Sequence, residues 1–407
     1  MRLNPNRVWF TLLLGACAGL PALSIDLSAP TLALLPSALG TTVIIAGLSL
    51  SLFMVGFALG QFVGGRASDR SGRRPVLLVA LIIYTISGVC CAIATSGPQL
   101  AAARLVQGAG AGACSVQAFA IVQDLFRGEA ARRKQAYVSV VLTIMPMLAP
   151  ALGALLMAQS SWRAVHAVLA VAGMLLAAAV VLLLEESRPA SVRTALPGLG
   201  IKDGLAMLRD DGFRRVAVVN ALSYGTIFAY IAGAPVVVMS QLNYPPMVYA
   251  ALFASTALAL SAGATSNAVL SRRGVGSFSL IWPGLVAQAG ATLAMAMAGT
   301  SMSMPAIWLV VPALLICCFA RGVVSPNLVH LAISVHRENA GLASAIVGLM
   351  QLLVGAASSA LVAALLPTFG FSGVAVPMAA LSCAAAVIWG ARVRRNQRSE
   401  LPDPIER

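Results

Sequence analysis

"GGRASDRSGRR", residues 64–74, sets Arg66, Asp69, Arg70, Arg73 and Arg74 among three glycines. More than twenty mostly apolar residues stand on either side of it. A soluble surface loop would not need that contrast. A polar connection between two membrane crossings would.

Composition points the same way. The 407-residue chain is 59% hydrophobic and 10% charged, too little polar surface for a soluble domain of this length. Apolar runs recur, each long enough to cross a hydrocarbon core of ~30 Å at ~1.5 Å per helical residue. Twelve spans are expected at 8–35, 42–64, 75–95, 99–124, 135–157, 164–184, 214–238, 246–270, 276–298, 305–331, 341–366 and 371–391. The fold class is therefore an all-α polytopic membrane protein.

The net charge of +14 could suggest nucleic acid, but the positions of the charges exclude that reading. The N-terminus, every second loop and the tail hold 24 of the 27 basic residues, and the opposite loops hold only Arg163. Basic loops mark the cytoplasmic side, so both termini are expected to be cytoplasmic. Cys17, Cys90, Cys91, Cys114, Cys317, Cys318 and Cys383 all fall within apolar spans, without zinc-site spacing or a disulfide-forming position. No metal and no cofactor is expected.

The longest polar segment, residues 185–213, divides six spans from six. The chain thus reads as a six-helix bundle over 1–184, a linker over 185–213, a second bundle over 214–391 and a tail over 392–407. "SRRGVG" at 271–276, between spans eight and nine, looks like a worn copy of "DRSGRR" between spans two and three. Paired six-span repeats are a transporter design, with the substrate site between the halves near mid-membrane.

Gly65-x-x-x-Asp69-Arg70-x-Gly72-Arg73-Arg74 resembles the loop signature of the major facilitator superfamily, in the place after span two where that family carries it. "LAAARLVQGAGAG" (100–112), with Arg104, Gln107 and Gly108, is similar to its fourth-span motif. "LAPALG" (148–153) resembles the antiporters' fifth-span Pro-x-x-Gly motif, with Ala149 where glycine is usual. "SIDLSAPTLALLP" (24–36), "SWR" (161–163), "FAYIAGAPVVV" (228–238) and "GVVSPNLVHLAI" (322–333) resemble signatures of the Bcr/CflA branch of drug:proton antiporters. That branch includes exporters of bicyclomycin, chloramphenicol and florfenicol. Ser28 and Ala29 depart from its pattern, as does His166, so no particular drug carries over.

The resemblance implies two pseudo-symmetric six-helix bundles that work by alternating access. It also implies a cytoplasmic gate of Gly65, Asp69, Arg70, Gly72, Arg73, Arg74 and Asp124. Gly65 would permit close helix approach and Gly72 a tight turn. Asp69, Arg73 and Asp124 would form a charge relay that holds the cytoplasmic side closed.

Only Asp26 among the thirteen acids lies within a span away from its ends. An ionised carboxylate there costs ~2.5–3.5 kcal/mol on insertion scales, so a functional role is the default. Asp26 is the expected proton carrier, with Arg104 its expected partner. Counted from the outer edge, Asp26 lies roughly 14 Å deep and Arg104 roughly 8 Å. Both are substrate-site candidates, as are Asn220, Tyr224, Phe228 and Tyr230 on span seven, where ordinary helix packing explains the last four equally well. Pro146, Pro150 and Gly153 are expected to let span five bend. Arg321, about sixteen residues into span ten, either lines the cavity or snorkels towards the inner surface. His166 and His330 read as packed or interfacial.

No metal cluster, nucleophile–base pair or phosphate loop occurs at membrane depth, which excludes an enzyme and direct ATP coupling. The expected function is proton-coupled export of a lipophilic or zwitterionic small molecule by a monomer embedded in membrane lipid. A metabolite or siderophore exporter, or an importer or uniporter of small organic anions, stays open.

Overall fold

A computed structural model describes residues 4–188, 201–301 and 307–399. Parts of the expected linker and tail, residues 189–200 and 400–407, lie outside the described residues. The described chain is helical, without strands. We number the long helices α1 (Val8–Ser28), α2 (Val43–Ser71), α3 (Arg73–Ala92), α4 (Gly97–Leu125), α5 (Gly128–Gln159), α6 (Trp162–Leu183), α7 (Asp211–Pro235), α8 (Pro246–Arg272), α9 (Ser277–Ser301), α10 (Ile307–Val335), α11 (Ala340–Phe369) and α12 (Ser372–Ser399). Short helices stand at Leu35–Ala38 and Ile201–Met207.

Each expected span coincides with one long helix. Eleven are long and apolar enough over their described residues to cross a membrane, and Leu148–Gln159 is the apolar end of α5. The charged patch differs from expectation. Residues 64–71 continue α2, and α3 begins at Arg73. The turn is Gly72 alone, at φ +102°, a backbone region that disfavours side chains with a Cβ.

Two compact units form. The first comprises residues 1–198, 231–257 and 356–370; the second comprises 199–230, 258–355 and 371–407. The repeat-based division into two six-helix bundles stays an expectation.

Within the first unit, α2 and α4 interlock through small residues. A Cβ at Gly108 or Gly112 would collide with the carbonyl oxygen of Phe53 or Phe57, and one at Gly56 or Gly60 with that of Leu105 or Ala109. Backbones meet this closely only where side chains are absent, and such contacts hold helices together in lipid. Six helices on, α8 and α10 repeat the device within the second unit: Gly322 meets the Leu260 carbonyl and Gly263 that of Phe319. The internal repeat is thus written into packing as well as into the worn loop motif. Gly108→Ala is expected to force α2 and α4 apart, costing roughly 1–3 kcal/mol. The thermal midpoint of the purified protein should fall, whereas Gly290→Ala, which fills open space, should leave it unchanged.

Each unit also carries an apolar groove, one of about 420 Å³ along α2, α3 and α4 and one of about 510 Å³ along α8, α9 and α10. Neither groove includes Asp26, Arg104 or Arg321.

Candidate functional site

Three polar clusters stand out, two in the first unit and one in the second. The first gathers around the Gly72 turn. Arg73 donates from Nε to Asp124 at 2.8 Å, from Nη1 to Ser68 Oγ at 2.7 Å, and lies 3.0 Å from Asp69. The expected contacts among Asp69, Arg73 and Asp124 are therefore made. Arg73 is buried, which lets a charged hydrogen bond act at close to full strength.

Two members were not anticipated. Arg188 Nη1 donates to Asp69 at 2.7 Å. Glu186 accepts the backbone N–H groups of Arg73 and Arg74 at 2.9 and 3.2 Å. A carboxylate there satisfies orphan donors at the start of α3 and meets the positive end of its dipole. The cluster thus binds α2, α3, α4 and the segment leaving α6 into one brace. Arg74 Nη2 reaches the Val181 carbonyl at 2.8 Å, while Arg70 is exposed.

Gly65 does not have its expected role. A Cβ there would make only ordinary contact, 4.0 Å from Val116, whereas one at Gly64 would lie 2.6 Å from the Ala113 Cβ. The close-packed face follows the four-residue spacing of Gly56, Gly60 and Gly64, and Gly65 is turned about 100° from it.

The second cluster surrounds Arg104. Its Nη1 donates to Gln107 Oε1 at 2.8 Å, and its Nη2 donates to Ser28 Oγ at 3.1 Å and the Ser24 carbonyl at 3.3 Å. The guanidinium also stacks 4.2 Å from the centroid of the Phe53 ring. Ser24 Oγ gives its proton to the Leu20 carbonyl at 2.6 Å, so Tyr84 is the donor in their 2.7 Å bond. Arg104 is 2% exposed and ties α1 to α2 and α4.

Asp26 is not its partner, which corrects the expected ion pair. The reason is azimuth. Ser24 and Ser28 are four residues apart and share the stripe facing α4, while Asp26 is two residues from each, about 200° round the helix. By the same spacing Asp26 shares a stripe with Gly15 and Gly19, which pack against Val141 and Met145 of α5. The Asp26 carboxyl is buried, 4% exposed, and meets no hydrogen-bond or ion-pair partner among the described residues.

Further along α5, Gly153 lies directly against the Leu27 carbonyl. It permits close approach of α1 and α5 rather than a bend. The α5 helix is continuous from Gly128 to Gln159 through Pro146 and Pro150; the side chain of Pro146 lies outside the described residues.

The third cluster centres on Arg321. It does not snorkel: it sits at the middle of α10 and is 4% exposed. Its Nη1 donates to Asn220 Oδ1 at 2.9 Å and to the Asn220 carbonyl at 3.4 Å. Tyr224 presents its ring to the guanidinium at 5.6 Å and stacks on Phe228 at 4.7 Å. Phe228 and Tyr230 are buried. His166 is buried edge-on to Trp162, a packed residue as expected.

Eleven helices among the described residues long and apolar enough to cross a membrane, glycine packing that recurs six helices apart, and charged clusters inside each unit point to a membrane transporter. Residues 14–359 match the Major Facilitator Superfamily, and the chain belongs to that superfamily. It is accordingly a multi-pass membrane transport protein and not an enzyme. It is 31% identical over 393 residues to the uncharacterized transporter YdgK of Bacillus subtilis, covering 95% of each chain. It is 31% identical over 218 residues to the multidrug resistance protein MdtL of Klebsiella pneumoniae, covering 53% of this chain and 55% of that one. The match thus spans about half the length of MdtL. A bacterial homologue of the human lysosomal transporter Spinster superimposes with a TM-score of 0.76 at 15% identity, over 98% of this chain and 99% of that one. A D-xylose–proton symporter gives 0.74 at 18% identity, over 93% and 96%. These two likenesses speak for the fold alone.

Proposed function

We propose that the protein exports lipophilic or zwitterionic drugs in exchange for protons, as a member of the Bcr/CflA branch working by alternating access. The observation that carries this reading is Asp26, a buried carboxyl with no countercharge among the described residues. Such a group gains or loses a proton without breaking a salt bridge. Partial similarity to MdtL multidrug resistance proteins supports drugs as cargo.

In this mechanism Asp26 holds either a proton or the substrate. Facing outward it takes a proton and releases the drug; facing the cytoplasm it gives up the proton and accepts another drug molecule. Arg104 positions α1 through Ser24 and Ser28, so the cycle does not require Asp26 to exchange partners with it. Each proton carried inward contributes about 2.3 kcal/mol per 100 mV, besides the pH difference. No cofactor takes part. The Asp69–Arg73–Asp124 brace acts as the cytoplasmic gate, and the protein works as a monomer in the inner membrane with both termini cytoplasmic.

Susceptibility of an efflux-deficient bacterium tests the reading. Cells expressing the protein should tolerate more chloramphenicol, florfenicol or bicyclomycin than cells carrying an empty vector. Equal susceptibility to the whole panel, at verified membrane abundance, would remove drugs as cargo and turn attention to metabolites in the medium.

A further inference from the structure

The two units treat their mid-span arginines differently. Arg104 spends both terminal nitrogens on protein acceptors, and its helix neighbour α1 carries Asp26. Arg321 stands on the repeat-related helix α10, beside Gly322, whose contact with the Leu260 carbonyl matches that of Gly108 with Phe53. It bonds to α7, the repeat counterpart of α1, yet α7 supplies only the neutral Asn220.

Among the described residues of the second unit, no acid pairs with it. The sequence contains no Asp or Glu between Asp211 and Glu338, and none from 339 to 399. Arg321 lies fourteen residues from each end of α10, roughly 21 Å at ~1.5 Å per residue, beyond the reach of its side chain to either surface. Among the described residues only Nη1 meets an acceptor. The donors on Nε and Nη2 meet none among them. Asn220 adds a second signal: its Nδ2 is fully buried and donates to nothing.

A buried cation held by one neutral amide is unfavourable unless an anion completes it. A guanidinium fork with free donors matches the two oxygens of a carboxylate. The stacked rings of Tyr224 and Phe228 lie beside it and suit a flat aromatic body.

We propose that Arg321, with Asn220 and Tyr224, forms a recognition site for the carboxylate of an aromatic acid or zwitterion. Transported compounds bearing that group dock it on α10 and α7. This deepens the export reading and rests on it for the direction of transport, but binding itself requires no transport.

Equilibrium dialysis of the purified full-length protein in lipid nanodiscs tests the site. The probes are dansylglycine, an aromatic carboxylate, and dansylglycinamide, its neutral amide. The wild type should bind the acid on the order of tenfold more tightly than the amide or better, as expected of one charge-assisted pair. Arg321→Gln should bring that ratio close to one. Asn220→Asp, nearly isosteric, places a permanent carboxylate against Arg321 and should collapse the ratio likewise, which keeps the test decisive if Arg321→Gln does not fold. An equal affinity of wild type for acid and amide would overturn the proposal, as would an acid preference that survives Asn220→Asp. Because dialysis involves no transport, a failure of drug protection in cells and a failure of acid preference are separate results.

Discussion

Replacing Asp26 by Asn is expected to abolish drug protection, down to the level of cells without the protein, while leaving membrane abundance unchanged. The two consequences together separate a transport role from a structural one. A structural salt bridge, once broken, leaves a buried unpaired charge and costs about 3–5 kcal/mol. Asp26 has no such partner among the described residues, so its removal breaks nothing. The substitution instead removes a carboxylate whose ionised form costs ~2.5–3.5 kcal/mol at membrane depth. The thermal midpoint of purified Asp26→Asn should therefore equal or exceed that of the wild type. Protection lost together with a lower midpoint would return Asp26 to a structural role, and full protection would remove it from the mechanism.

The second large effect is expected at the Gly72 turn, where two substitutions should behave differently. Arg73→Ala deletes a buried guanidinium that serves Asp124, Asp69 and Ser68. Among the described residues, Asp124 would keep only the Ser187 hydroxyl at 3.2 Å. The loss should approach the 3–5 kcal/mol of a broken buried pair, visible as reduced abundance and a lower thermal midpoint. Asp69 is half exposed, where ion pairs contribute about 1 kcal/mol or less. Asp69→Asn should therefore leave abundance nearly normal and impair transport. Wild-type transport by Asp69→Asn at equal abundance would refute the gate.

Much of this was legible in the sequence because depth and topology are one-dimensional properties. Apolar run lengths located the twelve long helices, the glycine spacing located the turn, and the family resemblance supplied the Arg73–Asp124 contact. What escaped was azimuth and long-range pairing. Asp26 and Arg104 have compatible depths, but the four-residue spacing of Ser24 and Ser28 was the signal that α1 turns its serines, and not Asp26, towards Arg104. The same oversight favoured Gly65 over Gly64, although the repeat Gly56, Gly60, Gly64 was in plain view.

Glu186 and Arg188 sit more than a hundred residues from the partners they meet, and no local pattern ties them to Gly72. Their only hint was the cluster "EESR" immediately after span six. The apolar run of span ten fades at 331, four residues short of Val335, which sets Arg321 nearer one surface in sequence than in the fold.

The central claim is obligatory exchange of drug and proton through Asp26. Proteoliposomes carrying a pH-sensitive dye inside, challenged with an inward gradient of chloramphenicol and no imposed pH gradient, test it most directly. Wild-type vesicles should alkalinise internally, beyond protein-free vesicles, as entering drug drives protons out, and Asp26→Asn vesicles should show no such change. Protein-dependent drug entry without proton movement in the wild type, or equal alkalinisation by Asp26→Asn, would contradict the account.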